Sequence, residues 1–301
     1  MEAERYTVAV DGGDLAVGRW GDGAAVVIAA HGITASHLAW AGVGAHVRND
    51  LTLIAPDLRG RGDSGDLPGP YGMAQHARDL LAVLDHAGAQ RAIVAGHSMG
   101  GFVASVFAGA YPERTAAVVL VDGGPAIGEP LPDDVDVDVV LARVIGPALD
   151  RLERRFTSRA EYRAFWREHP AFVDTGADLE RLDAYADHDL HGPEGDLRSK
   201  VDAGAVRADG RDTLINPAMR EAVGRIAAPA VLLLAERGML NDQTPLFPRG
   251  SVTGLRTQRG PLEVIRVPAT NHYTILAGDI GARAVAHHLR GFAAAGAAGR
   301  A

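Results

Sequence analysis

Apolar residues fall in short, dense runs separated by polar, glycine-bearing segments. AAVVIAA (24–30), LTLIA (51–55), AIVA (92–95) and AAVVLV (116–121) are apolar almost without interruption. Runs of that kind are expected of strands buried on both faces, as in parallel sheets. Ahead of them, YTVAV and LAVGRW alternate on either side of Gly12 and Gly13, which predicts a β-hairpin. Between the runs the period changes. In MAQHARDLLAVLDHAG, Ala77, Leu80, Leu81 and Leu84 share one helical face, and Gly88 stands where a helix C′ residue is expected. FVASVFAGAYP predicts a second helix, stopped by Pro112. Strand and helix in alternation predict an α/β protein with a doubly wound, mostly parallel sheet.

That rhythm stops after Asp122. Residues 126 to about 224 carry Pro-rich turns, the acidic stretch DDVDVD and charged helical segments such as RAEYRAFWREH. Strand and helix alternate again at VLLLA (231–235), LEVIRV (262–267) and IGARAVAHHLRGF. The expected organisation is a core domain, 1–125 and 225–301, with a mostly helical cap inserted at 126–224. The Ala/Gly-rich tail from Ala293 is expected to fray.

With 301 residues, 47% hydrophobic and 23% charged, the chain can bury one large core with an insertion. A net charge of −8 shows no basic footprint for nucleic acid. The absence of cysteine excludes disulfides, thiolate nucleophiles and zinc–thiolate sites. MEAERYTVAV lacks the basic and apolar regions of a signal peptide, and no apolar run is long enough to span a bilayer. A cytoplasmic protein acting on a small molecule, without membrane or nucleic-acid partners, is the expectation.

Candidate chemistry begins at AIVAGHSMGG. Gly96-His97-Ser98-Met99-Gly100 follows a strand and precedes a helix, which is the context the G-x-S-x-G nucleophile elbow requires. The turn leaves no room for side chains beside the serine, and the following helix N-terminus favours developing negative charge near Ser98. A Gly-rich turn with an incidental serine is the bland alternative.

AGHSMGG, AAHGITASHLAW (29–40), DLRGRGDSG (57–65) and NHYTI (271–275) together resemble the α/β-hydrolase fold family over nearly the whole chain outside the cap. The resemblance implies an oxyanion hole made by the backbone N–H groups of Ile33 and Met99, with a structural role for His31. It implies that Arg59 and Asp63 tie loops together. It places the catalytic base at His272, in the loop after the last strand, while His287 and His288 fall mid-helix. The acid is left open. The family's common acid position after VLLLA is Gly238 here, so Glu236 and Asp242 are displaced substitutes. A second position known in the fold, used by haloalkane dehalogenases, is the tip of the strand after the nucleophile helix, and Asp122 occupies it. Dehalogenation itself is not expected, because Ser98, Ile33 and Met99 stand where those enzymes have an aspartate nucleophile and halide-binding Asn and Trp.

The expected function is that of a serine hydrolase cleaving an ester or lactone through an acyl-enzyme, with Ser98, His272 and Asp122 as the triad. Carbon–carbon bond hydrolases, thioesterases and acyl-transfer enzymes share the machinery, and a non-catalytic receptor on the same fold is the rival from another class. Phe156, Phe165, Trp166 and Phe172 are candidate substrate contacts in the cap, with plain cap core as the alternative. DHDLHG offers Asp187, His188, Asp189 and His191 but no further ligand at a recognisable spacing, so it reads as a solvated turn. Neither a metal nor an organic cofactor is expected.

Overall fold

The apolar runs form the middle of an eight-stranded sheet. Its strands are β1 (Glu4–Val10), β2 (Gly13–Trp20), β3 (Ala25–Ala30), β4 (Leu51–Pro56), β5 (Ala92–His97), β6 (Thr115–Val121), β7 (Ala230–Ala235) and β8 (Glu263–Val267). The spatial order is β1-β2-β4-β3-β5-β6-β7-β8. The β1–β2 hairpin and the β2–β4 pair are antiparallel, and every later pair is parallel. The computed structural model describes residues 3–126, 128, 131–132 and 134–298.

Successive strand residues point to opposite faces, and both faces are covered. On one face Ile28, Val94, Val118, Leu120 and Leu232 pack with residues of α2 (Met73–His86) and α3 (Met99–Ala110), including Leu80, Val103 and Phe107. On the other, Val27, Leu53, Ala95, Val119 and Leu233 meet Trp40, Val43 of α1 (Ala41–Val47), and Val285 and Leu289 of the last helix. The face predicted for α2 is the one buried, with Leu81 only half-buried, and Gly88 has the left-handed φ of +66° expected of a C′ residue.

Between β6 and β7 the chain makes α4 (Val137–Glu153), α5 (Arg159–Arg167), α6 (Leu179–Asp189) and α7 (Ala203–Ile215). Asp136, Ser158, Asp178 and Asp202 cap these four helices with their side chains. α4 is kinked at Ile145, whose φ of −129° is not helical. Among the described residues of this segment, the only strands are the two-residue pieces Leu190–His191 and Arg198–Ser199. Its aromatic core of Phe156, Tyr162, Trp166 and Phe172 is separate from the two sheet cores. The segment is fastened to the rest of the chain by polar contacts: His188 Nε2 to Asp57 Oδ2 at 2.7 Å, Arg61 to Asp209 at 2.5 Å, and the Met73 N–H to Asp212 Oδ2 at 2.7 Å.

Two expectations are corrected. The tail from Ala293 does not fray at once, because α8 (Asp279–Ala298) continues to Ala298. Alanine is the strongest helix former and sustains the exposed turns. Asp187–His191 is not a solvated turn either: His188 and Asp189 are buried at the end of α6 against Asp57 and Arg151, while His191 is exposed. Among the described residues no helix is long and apolar enough to cross a membrane.

Phe107 is fully buried and meets Tyr111 edge to face at 5.1 Å. Phe107→Ala should therefore lower the free energy of unfolding by about 3–5 kcal/mol, read by denaturant titration.

Candidate active site

β5 ends at His97, and the chain turns at Ser98 into α3. Ser98 sits at φ 55°, ψ −122°, a region that costs a non-glycine residue on the order of 1–3 kcal/mol and is kept only where the surroundings impose it. The surroundings do so by proximity. A Cβ on Gly96 would lie 1.9 Å from the Gly100 carbonyl oxygen, and one on Gly100 would lie 2.2 Å from that of Ala30. Ser98 is further held by its N–H bond to the Val121 carbonyl at 3.0 Å. The α3 N-terminus begins at Met99, so its first amides lack intrahelical partners and face the serine's end of the helix.

Asp122 follows the last residue of β6, also at positive φ (43°), and is fully buried. Its two oxygens have different partners. Oδ1 accepts the Ala235 N–H at 3.0 Å, which ties it to the end of β7. Oδ2 lies 2.6 Å from His272 Nδ1. His272 is buried in the loop after β8. That loop is shaped by Asn271, whose Oδ1 accepts the N–H groups of Tyr273 and Thr274 and whose Nδ2 donates to the Ala171 carbonyl at 2.8 Å. With Nδ1 donating to Asp122, the Nε2 face of His272 is the one free to act as a base.

The other two acids point elsewhere. Glu236 is exposed and its Oε2 accepts the Ala269 N–H at 2.8 Å. Asp242 is exposed and its Oδ1 accepts the Thr244 N–H within its own loop. Of the three candidates, only Asp122 is bonded to His272.

A second imidazole flanks the first. His97 and His272 have ring centroids 4.6 Å apart, and His97 Nε2–H donates to the His272 carbonyl at 2.8 Å. Burial, with the neighbouring His272 adding to it, pulls the His97 pKa down to about 3. His97 is thus neutral near pH 7 and adds no positive charge beside an imidazolium at His272.

Two hollows meet at Ser98. A cavity of about 80 Å³ is lined by Ser98, His272, Gly32, Tyr185, Tyr273 and Phe172, among others. A second, of about 340 Å³, is lined by Ser98, Ile33, Met99, Phe102, Leu141 and Phe247, among others. Ile33 and Met99 therefore stand beside the serine. Of the four aromatics singled out from the sequence, Phe172 lines the first cavity; Phe156, Phe165 and Trp166 lie on neither. They pack in the aromatic cluster behind it, Trp166 with Tyr185 at 5.3 Å and with Tyr273 at 6.4 Å. Aromatic character marks a buried cluster but does not say which member of it faces a hollow. Tyr273 and Tyr185 were missed. Adjacency to His272 was a usable signal for the first; nothing local marks the second.

Elsewhere, His37, Asp57 and His188 bring three ligand-type atoms within 4.8 Å of one another. The Asp57 carboxylate is already saturated, accepting from the His37 N–H and Nδ1, from His188 Nε2 and from the Asp63 N–H. Burial opposes its ionisation, but His37 and His188 outweigh that and hold its pKa well below the usual range. The group fits a polar lock between α6 and the core better than a metal site. Arg59 makes a buried two-pronged pair with Asp79, and Asp63 pairs with Arg5 and Lys200, so both tie segments together.

The model of the alpha/beta hydrolase fold family matches residues 25–278. Lipase LipV of Mycobacterium tuberculosis is 36% identical over 143 residues, 47% of this chain and 54% of the lipase. A putative carbamate hydrolase, RutD of Azorhizobium caulinodans, is 42% identical over 71 residues, 24% of this chain and 27% of that protein. The chain thus spans about half or less of the curated relatives it matches. Among solved structures, E-2-(acetamidomethylene)succinate hydrolase superposes with a TM-score of 0.74 at 20% identity, covering 96% of this chain and 99% of that one. The thioesterase domain from the curacin biosynthetic pathway gives 0.72 at 20% identity, covering 96% and 100%. These two likenesses are of fold.

Asp122→Asn should keep the hydrogen-bonded geometry but favour the wrong imidazole tautomer, lowering kcat by on the order of 10⁴ on any substrate turned over. Asp242→Asn should cost under about tenfold. Steady-state kinetics of the two variants, with folding checked by circular dichroism, separates the acids; the reverse order would reassign the role.

Proposed function

We propose that this chain, which belongs to the α/β hydrolase family, is a serine hydrolase that cleaves an ester or lactone of a small to medium organic substrate through an acyl-enzyme. The observation that carries the reading is the 2.6 Å contact of His272 Nδ1 with Asp122 beside a strained Ser98 on the same cavity.

In this reading Ser98 Oγ attacks the substrate carbonyl as His272 Nε2 takes its proton. The buried Asp122 carboxylate holds the Nδ1–H tautomer and stabilises the imidazolium. The N–H groups of Ile33 and Met99 receive the negative charge that develops on the carbonyl oxygen. The tetrahedral species then collapses. His272 returns the proton to the leaving alkoxide, the C–O bond breaks, and the acyl group stays on Ser98. Water enters, gives its proton to His272 and attacks the acyl carbon; the second collapse returns that proton to Ser98 Oγ and releases the acid. No step needs a group beyond these residues and water.

The hollows make the reading more specific. A leaving group must depart where His272 can protonate it, so it belongs in the cavity shared by Ser98 and His272. The larger hollow, with Phe102, Leu141 and Phe247, suits an apolar acyl part of medium length. We read residues 126–224 as the cap, since Ile145 and Phe172 reach these walls from it. Carbon–carbon bond cleavage, thioester hydrolysis and acyl transfer would use the same groups and differ in what the hollows admit. A receptor without catalysis would have no use for a strained serine facing a cavity and an oriented base.

Ser98→Ala should lose on the order of 10⁶ in turnover while keeping the fold. A panel of p-nitrophenyl esters of increasing chain length, run beside a few lactones and thioesters, identifies the preferred class. A fluorophosphonate probe should label the wild type at Ser98 and leave the Ala variant untouched. Retention of more than about a tenth of the activity in Ser98→Ala would sink the proposal.

Phe172→Ala should change the relative rates across the ester series. Trp166→Ala, which removes cluster core rather than cavity wall, should instead lower stability by about 3–5 kcal/mol and leave the order of preference intact. Melting curves and the ester panel together check both.

A further inference from the structure

The loop that follows β3 carries the Ile33 amide, and its direction is not left to the loop. Three successive carbonyls are each held by a buried side chain. The Gly32 oxygen accepts from His31 Nδ1 at 2.8 Å and from the Ala35 N–H at 3.1 Å. The Ile33 oxygen accepts from Arg61 Nε at 2.9 Å. The Thr34 oxygen accepts from Arg151 Nη2 at 3.0 Å. In a trans peptide the N–H points opposite to the C=O of the same plane. Holding the Gly32 oxygen fixes the Ile33 N–H, and holding the next two planes stops the loop from rotating it away.

The two arginines are themselves positioned by the inserted helices. Arg61 is fully buried and paired with Asp209 of α7, whose carboxylate also takes His76 Nε2 at 2.9 Å and the Gly72 N–H at 2.6 Å. Burial opposes ionisation of Asp209, but Arg61, His76 and the Gly72 N–H together outweigh it and the pKa falls to about 2. Arg151 of α4 is held by Asp189 and by Tyr162 Oη at 2.5 Å, and lies 5.1 Å over the Trp166 ring. Neither arginine lines either hollow at Ser98, so neither meets the substrate.

We propose that Arg61 and Arg151 are positioning residues through which the inserted segment sets the Ile33 N–H for the oxyanion, so that docking of that segment completes the catalytic site. The proposal rests on the serine-hydrolase reading above. Buried, fully charged donors suit this task because a guanidinium offers several fixed N–H directions, one set for the carboxylate and one for the loop carbonyl. A lysine at either position keeps the charge but has no second fixed direction.

The test compares wild type with Arg61→Lys, Arg151→Lys and Tyr162→Phe, using a p-nitrophenyl ester and an arylboronic acid as the tetrahedral mimic. Loss of one oxyanion donor costs about 10²–10³ in kcat. Partial misorientation in each lysine variant should therefore cost about 10–100-fold in kcat, with KM within about threefold. Boronate affinity should fall by a similar factor to kcat. Because both residues hold one loop, the double variant should lose less than the product of the two single losses. Tyr162→Phe keeps the buried ring and removes the hydroxyl that accepts from Arg151 and donates to Asp189, so it remains informative if Arg151→Lys fails to fold; it should lower kcat and boronate affinity together by about threefold. Folded variants with kcat and boronate affinity within about twofold of wild type would overturn the clamp and leave the hydrolase reading standing, as would a rise in KM alone. A wild type that neither turns over esters nor labels at Ser98 would overturn both.

Discussion

The Asp122 carboxylate is the point on which the site depends. It joins three strand ends that are far apart in sequence: its own at the tip of β6, that of β7 through the Ala235 N–H, and the loop after β8 through His272. A buried carboxylate must find partners for both oxygens or stay neutral. Here one oxygen is satisfied by backbone and the other by the imidazole, so the carboxylate is held at one end and orients the histidine at the other. The positive φ at Asp122 and at Ser98, on neighbouring strands, is strain that the sheet absorbs at the place where the reactive groups converge.

Buried polar contacts attach the inserted helices to this frame, beside the apolar cluster in which Val137, Leu141 and Ile145 meet Ile33 and Met239. His188–Asp57 and Arg61–Asp209 are buried, and Arg151 to the Thr34 carbonyl is part-buried. Such pairs add little to stability compared with well-packed apolar residues, because desolvation offsets most of the attraction, but removing one partner costs about 3–5 kcal/mol. They also admit only one geometry. That trade suits a segment that has to hold a loop in a fixed direction beside Ser98 more than it suits bulk adhesion. The aromatic cluster of the inserted segment is mostly its own core and extends to the β8 side through Tyr273 and Ala277.

What the sequence alone determined follows from local rules. The dense apolar runs announce the strands because a parallel sheet buries both faces. The elbow is legible because no side chain fits beside the serine, so its glycines must appear in sequence; His272 is singled out by the family resemblance, which places a histidine in the loop after the last strand. Ser98, His272 and the loop of Ile33 each stand in a stretch of about ten residues that resembles the family's motifs. Only the tertiary structure decided the rest. Asp122, Asp242 and Glu236 differ in which strand end approaches the imidazole, and strand order is a property of the sheet and not of any one segment. The same holds for Phe172, in the turn after α5, against Trp166 on α5, which part only where a hollow opens, and for His188 and Asp189, whose partners Asp57 and Arg151 stand 131 and 38 residues away. Contacts closed over such distances leave no periodic trace in the chain, since each partner obeys its own local pattern and the pairing is set by how the elements pack.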